Sequence, residues 1–411
     1  QGRRNSRLDR SLAWSAEFVL RRPRTLLVGG VLLGVVAAIG GSRLRVDTYL
    51  LETFDADHPV AQMTRELEDD FLGVLPMYVV LEADRAGHVF EPEFIDRIRA
   101  IQTLIEQYDP TYVIATQSIV NVLDGIRHSL GVATPALDSA ERIQAVLRLA
   151  LQSNPHALQR VLDPEGRQAI IVVRLRDRGT ARGRELMRDL REPIESIVGA
   201  GAMDGLIEGR LPRSDVPIRV RAAGDAYLAG IGLTSLILDL LASVGTAAIL
   251  IFVTLTVLFR SARLGLISVL PNALPLLITF GLMGTLGITL SVSTVIVFAI
   301  SLGLAVDDTI HFLTRYLEER HGGRTREEAI RRTFLGAGRA IMITSIVMVG
   351  GMIVLSQTSF VPMRYMALLT TVTILSALIA DLLLLPALLV LFDRKDRRVP
   401  GVAPPSDSLD P

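Results

Sequence analysis

Two adjacent carboxylates, Asp307 and Asp308, stand directly against the apolar run Ile288–Val306, and His311 follows Asp307 by four residues. A charged residue at the centre of a spanning helix costs roughly 2.5 to 3.5 kcal/mol even on the mild insertion scale, so a pair of acids here needs a reason. Thr294, Ser301, Asp308 and Arg315 recur every seven residues and fall on nearly one line of a helix. Asp307 and His311 share a face one turn apart. Adjacent carboxylates in a poorly solvated site cannot both ionise cheaply, which is what a proton-carrying site requires. Asp307, Asp308 and His311 are therefore read as a proton relay. Two other readings stay open: acids satisfied by hydroxyls or backbone that only fix packing, and a sodium site. Buried ionisable groups in membranes favour the transport pathway.

The elements that must hold these residues are apolar. Half of the residues are hydrophobic and the mean hydropathy is +0.42, which points to a membrane protein. The 43 basic and 43 acidic residues cancel, so no bulk basic field recruits nucleic acid. There is no cysteine, which removes disulfides and thiolate metal sites. Spans are expected at 25–41, 233–259, 264–284, 288–312, 340–355 and 365–392. Residues 1–24, rich in arginine and carrying Leu8, Leu12 and Trp14, read as a basic amphipathic lead along the inner membrane surface. The apolar run 25–41 lies too far from the first residue, and is too long, for a typical cleaved signal.

Residues 42–228 have soluble character, with strands expected at 74–82, 168–176 and 217–222 and helices at 91–108, 139–152 and 181–198. This alternation suggests an α+β domain, open-faced and built on split βαβ units. His88, His128 and His156 are scattered through it and read as surface residues. Arginines cluster in the loops after the second and fourth spans and, with Lys395, after the sixth, on the same side as the basic lead. The positive-inside rule then puts both ends in the cytoplasm and the large domain outside it. Residues 393–411 form a cytoplasmic tail expected to be disordered.

Other polar residues in the spans are candidates for coupling. They are Asp381 in the sixth, Asn272 between Pro271 and Pro275 in the third, Thr344 and Ser345 in the fifth, and Asp239 in the second. The two prolines are expected to break the third span, and Gly350 and Gly351 to admit a close neighbouring helix. Thr344 or Ser345 could donate to the aspartates. No phosphate loop, zinc spacing or Ser-His-Asp spacing stands out, so no cofactor or metal is expected and the chain does not read as an enzyme.

The order of one span, a large domain and five further spans, together with GLAVDDTIHFLTRYLEE, LPNALPLL and DLLLLPALL, resembles one repeat of the resistance-nodulation-division (RND) superfamily. Within it the chain is most similar to the branch of MmpL-type lipid exporters, hopanoid transporters and Patched-like proteins. The resemblance implies a membrane α-helical bundle of 1+5 spans with an α+β porter-like domain. It implies proton-motive-force-driven export of a lipid, hopanoid or sterol-like molecule, by proton antiport, from a bacterial cytoplasmic (inner) membrane. Asp307 and Asp308 match the acids that carry protons in that family. Periplasmic acceptor proteins are implied as further partners. The alternative is a lipid- or sterol-sensing binding or scaffold protein of Patched-like architecture, without net transport. Only one repeat is present and the first residue is not methionine, so the expected partner is a second repeat. That repeat is either the N-terminal half of a longer protein or the mate in a homodimer.

Overall fold

The computed structural model describes residues 7–49, 53–70, 75–129, 139–153, 158, 160–203 and 218–393. The expected tail at 394–411 and His156 lie outside the described residues. In chain order the helices are α1 (Arg7–Arg21), α2 (Pro23–Gly41), α3 (Pro59–Asp70), α4 (Pro92–Tyr108), α5 (Ile119–Ser129), α6 (Ala140–Ser153), α7 (Thr180–Asp189) and α8 (Arg191–Val198). There follow α9 (Asp225–Leu258), α10 (Ala262–Leu286), α11 (Val292–His321), α12 (Arg326–Thr333), α13 (Arg339–Leu355), α14 (Val361–Ile379) and α15 (Leu385–Phe392). The strands are β1 (Leu75–Ala83), β2 (Val113–Gln117), β3 (Gln168–Leu175) and β4 (Ile218–Ala223). The chain divides into two compact units, one of residues 47–235 and one of 1–46 with 236–411.

The first unit carries a four-stranded antiparallel sheet in the order β2-β3-β1-β4. β1 and β2 run in the same direction on either side of β3, which is the split βαβ arrangement. Alternation in β1 buries Met77, Val79, Leu81 and Ala83, and the paired β3 buries Ala169, Ile171, Val173 and Leu175. They join one core with Phe94, Ile98, Ile101 and Ile105 of α4, whose spacing of three and four makes a single apolar stripe.

The helix expected over 181–198 is two helices, divided at Leu190. Pro193 has no N–H for the carbonyl of Asp189 and its ring crowds that carbonyl, so the first helix stops there. Among the described residues of this unit, α3, β2 and α5 went unforeseen.

Local charge pairs fix this unit. Asp47 caps α7 from a distance, accepting from the Ala181 N–H at 3.0 Å, while Gly179 before the helix adopts φ +86°. Asp109 accepts from the Thr111 hydroxyl at 2.6 Å and from Arg182 at 3.0 Å, and these contacts hold its carboxyl down to about 2. Burial and the bond from its hydroxyl to Asp189 push Tyr108 up to about 12.

In the other unit, six helices among the described residues are long and apolar enough to cross a membrane: 23–41, 225–258, 262–286, 292–321, 326–355 and 361–392. We call them the first to sixth spans. The third is not broken by its prolines, for α10 runs unbroken through Pro271 and Pro275. Neighbouring side chains take up backbone groups there. Asn272 Nδ2 donates to the Ser268 carbonyl at 2.7 Å and Thr279 Oγ1 to the Pro275 carbonyl at 3.0 Å.

Among the described residues no helix approaches closely at Gly350 and Gly351, where it was expected: nothing lies within 4 Å of a Cβ at either. It occurs instead between the first and third spans. A Cβ on Gly281 would stand 2.5 Å from the Ala37 carbonyl oxygen, and one on Gly284 would collide with the Gly40 carbonyl oxygen. The sixth span passes through a π-helical turn at Ala380–Leu384, just before Pro386. Pro386 cannot donate to the carbonyl of Leu382 and would crowd it in a regular helix, and the wider turn relieves both problems.

Candidate functional site

The fourth span, α11, is started by a reciprocal cap: Ser291 Oγ accepts from the Thr294 N–H, and Thr294 Oγ1 accepts from the Ser291 N–H at 2.8 Å. This fixes which side each later residue takes. Ala305, Thr309, Phe312 and Tyr316 form the buried stripe. Asp307 and His311 point away from it, with side chains 70% and 68% exposed and His311 Nε2 at 3.7 Å from Asp307 Oδ1. Asp308 lies between the two faces, half-buried.

Asp308 looks into a cavity of about 270 Å³ between the fourth, fifth and sixth spans. Its other polar lining comes from Ser301, Thr344, Ser345 and Thr373, with Asp307 and His311 also on its wall. The remaining wall is apolar, including Ile341 and Met348. Ser301 is 2% exposed, and its hydroxyl has no hydrogen-bond partner among the described residues. An unsatisfied buried hydroxyl costs on the order of 1 to 3 kcal/mol, so it marks a place that favours a polar guest. Thr344 and Ser345 share this wall with the aspartates. Thr344 Oγ1, however, bonds the Ile341 carbonyl of its own helix at 2.9 Å and makes no bond to either acid.

Asp381 and Asn272 come together elsewhere in the bundle. Asp381 is 1% exposed, and its Oδ1 accepts from Thr309 Oγ1 at 2.6 Å. Asn272 Nδ2 donates to the same hydroxyl at 3.1 Å. One threonine thus ties the third, fourth and sixth spans through buried side chains, and it is the immediate neighbour of Asp308. A second tie joins Thr279 to Thr373, oxygen to oxygen at 2.8 Å. Asp239 belongs to neither group: it is exposed on α9 and outside the cavity wall.

Sequence reasoning missed Thr309. Its signal was present, because Ala305, Thr309, Phe312 and Tyr316 recur at four, three and four residues, the stripe a helix buries. Among the described residues no group of three or more His, Cys, Asp or Glu could hold a metal ion.

Comparison with known proteins agrees with this architecture. The chain is 23% identical over 388 residues to the putative membrane protein MJ1562 of Methanocaldococcus jannaschii, covering 92% of this chain and 93% of that protein. It is 35% identical over 114 residues to protein patched homolog 2 of the mouse, Mus musculus, covering 27% of this chain and 9% of that protein. In fold it is similar to the hedgehog release protein Disp of the water bear Hypsibius dujardini, seen by cryo-electron microscopy. There the TM-score is 0.59 at 13% identity, over 95% of this chain and 50% of that one. The chain therefore spans half of the water-bear protein and nearly the whole of the archaeal one. Residues 55–401 match the MMPL family, and the chain belongs to that family of multi-pass membrane transporters.

Proposed function

We propose that this chain is one repeat of a proton-driven exporter of a hydrophobic or amphipathic molecule, lipid, hopanoid or sterol-like, in a bacterial cytoplasmic membrane. The observation that carries the reading is Asp308 on the wall of a small cavity that also holds the unpartnered Ser301 hydroxyl. A proton reaching Asp308 removes a charge from between three spans. The buried tie from Thr309 to Asp381 and Asn272 couples two of them, the fourth and the sixth, to the third span. A ligand shifts such an equilibrium only through its differential affinity for the two states, and here that ligand is the proton. One elementary charge crossing the membrane supplies about 2.3 kcal/mol per 100 mV.

Asp307 and His311 need a partner. Left against hydrocarbon, a charged aspartate at mid-span costs roughly 2.5 to 3.5 kcal/mol, so their face is read as meeting a second repeat or water. The second repeat is a further domain of the same polypeptide or another copy of this chain. The arginines in the loops after the second, fourth and sixth spans support reading residues 42–228 as outside the cytoplasm.

Proteoliposomes loaded with pyranine and given an imposed proton gradient test the reading. Gradient-driven proton flux through the parent protein that is lost in Asp308→Asn, with folding retained, supports the relay. Equal flux in the parent and in both Asp307→Asn and Asp308→Asn would make the acids structural, and flux in the parent no greater than in protein-free liposomes would favour a lipid-sensing scaffold.

A further inference from the structure

α1 has two faces, and the bundle uses only one of them. Leu12, Ala16 and Val19 are buried in a cluster with Ala329 and Ile330 of α12 and Phe334 of the following π-helical turn. Leu12 comes so near that a Cβ on Gly338 would lie 3.6 Å from it. Glu17 extends this seat by an ion pair with Arg331 at 3.2 Å. The seat fixes the direction of the opposite face, where Arg10, Trp14, Phe18 and Arg21 follow one another at intervals of three and four.

That face has its own order. Trp14 is 68% exposed, yet its ring stacks on Phe18 with centroids 5.5 Å apart and planes 8° from parallel. Arg10 and Arg21 stand exposed at the two ends of the aromatic pair, and exposed Arg22 and Arg24 follow. Pro23, two residues after Arg21, begins the first span, so the Arg21 end of the stripe stands at the level where that span enters the bilayer. Aromatic rings flanked by arginine at that depth match the chemistry of the headgroup layer, with rings at the acyl boundary and guanidinium groups at phosphates.

We propose that the Arg10–Trp14–Phe18–Arg21 stripe of α1 is a docking surface for anionic lipid headgroups, which hold the helix against the membrane on one side and the fifth span on the other. The acid on this side, Glu17, is engaged with Arg331 and Arg21 and leaves the stripe positive. The partner is a bilayer lipid, because the stripe is joined to the start of a spanning helix by a single residue.

Trp14 is the only tryptophan in the chain, so its fluorescence reports on this surface alone. The full chain is placed in phosphatidylcholine nanodiscs in which a tenth of the lipid is either brominated phosphatidylglycerol or brominated phosphatidylcholine. We expect the anionic quencher to be about threefold more effective, the order expected where several arginines meet an anionic surface. The ratio should fall to one in 0.5 M salt and in the Arg10→Gln/Arg21→Gln variant, and should be kept in Arg10→Lys/Arg21→Lys. A ratio of one in the parent protein overturns the proposal and leaves only apolar partitioning. Absence of quenching by either lipid overturns it in favour of a protein segment, or water, over the stripe.

Discussion

The tie between Thr309 and Asp381 lends itself to a double-mutant cycle. Thr309→Val keeps the shape of the side chain and removes the hydroxyl, so Asp381 loses a 2.6 Å donor and Asn272 loses a 3.1 Å acceptor. Asn272 keeps its bond to the Ser268 carbonyl, so the main loss falls on the carboxyl of Asp381, which is 1% exposed. Interhelical hydrogen bonds within membranes average about 0.6 kcal/mol and reach about 1.7, and a buried group left unpaired costs about 1 to 3. With two bonds lost, we expect Thr309→Val to cost about 2 kcal/mol. Asp381→Leu should cost less, about 1 kcal/mol, because the Thr309 hydroxyl can turn to the carbonyl of Ala305 one turn back. The double variant should then be about 1 to 1.5 kcal/mol more stable than the sum of the singles predicts. Reversible unfolding in mixed micelles by titration with sodium dodecyl sulfate, followed by circular dichroism, reads all four corners. Additivity within about 0.4 kcal/mol would refute the argument, since uncoupled sites add to that precision.

Two further outcomes follow from packing and charge. Gly281→Val should abolish the close contact of the first and third spans and lower the unfolding midpoint sharply, because its Cβ would meet the Ala37 backbone oxygen at 2.5 Å; Gly350→Ala, with nothing within 4 Å, should leave the midpoint within error. Asp109 is held at about 2 against its ordinary 3.8, so its contribution to stability is complete above about pH 4 and fades as pH falls through 2. Asp109→Asn should therefore be less stable than the parent at pH 6 and indistinguishable from it below pH 2, as hydrogen exchange across β2 would show.

Much of this protein was legible in its sequence, because the relevant physics is local. Six apolar runs of spanning length, strands that alternate, and an acid pair set against an apolar helix need only composition and periodicity. The faces of α11 follow from the same rule, and the spacing of four sets Asp307 and His311 on one face, 3.7 Å apart. The alternation suggested split βαβ units, but the strand order was not legible, because β2 was not among the strands read from the sequence.

Tertiary structure alone decided which helices meet. Asn272, Thr309 and Asp381 are separated by 37 and 72 residues along the chain, and only the packing of three spans puts one hydroxyl between the other two side chains. The same packing set Asp239 apart from the cavity, left Gly350 and Gly351 unpacked, and kept α10 helical through two prolines. It also seated α1 on Phe334 and turned Trp14 outward. Hydrophobic pattern tells a residue to be buried, but the partner it meets there depends on neighbours that local sequence does not name.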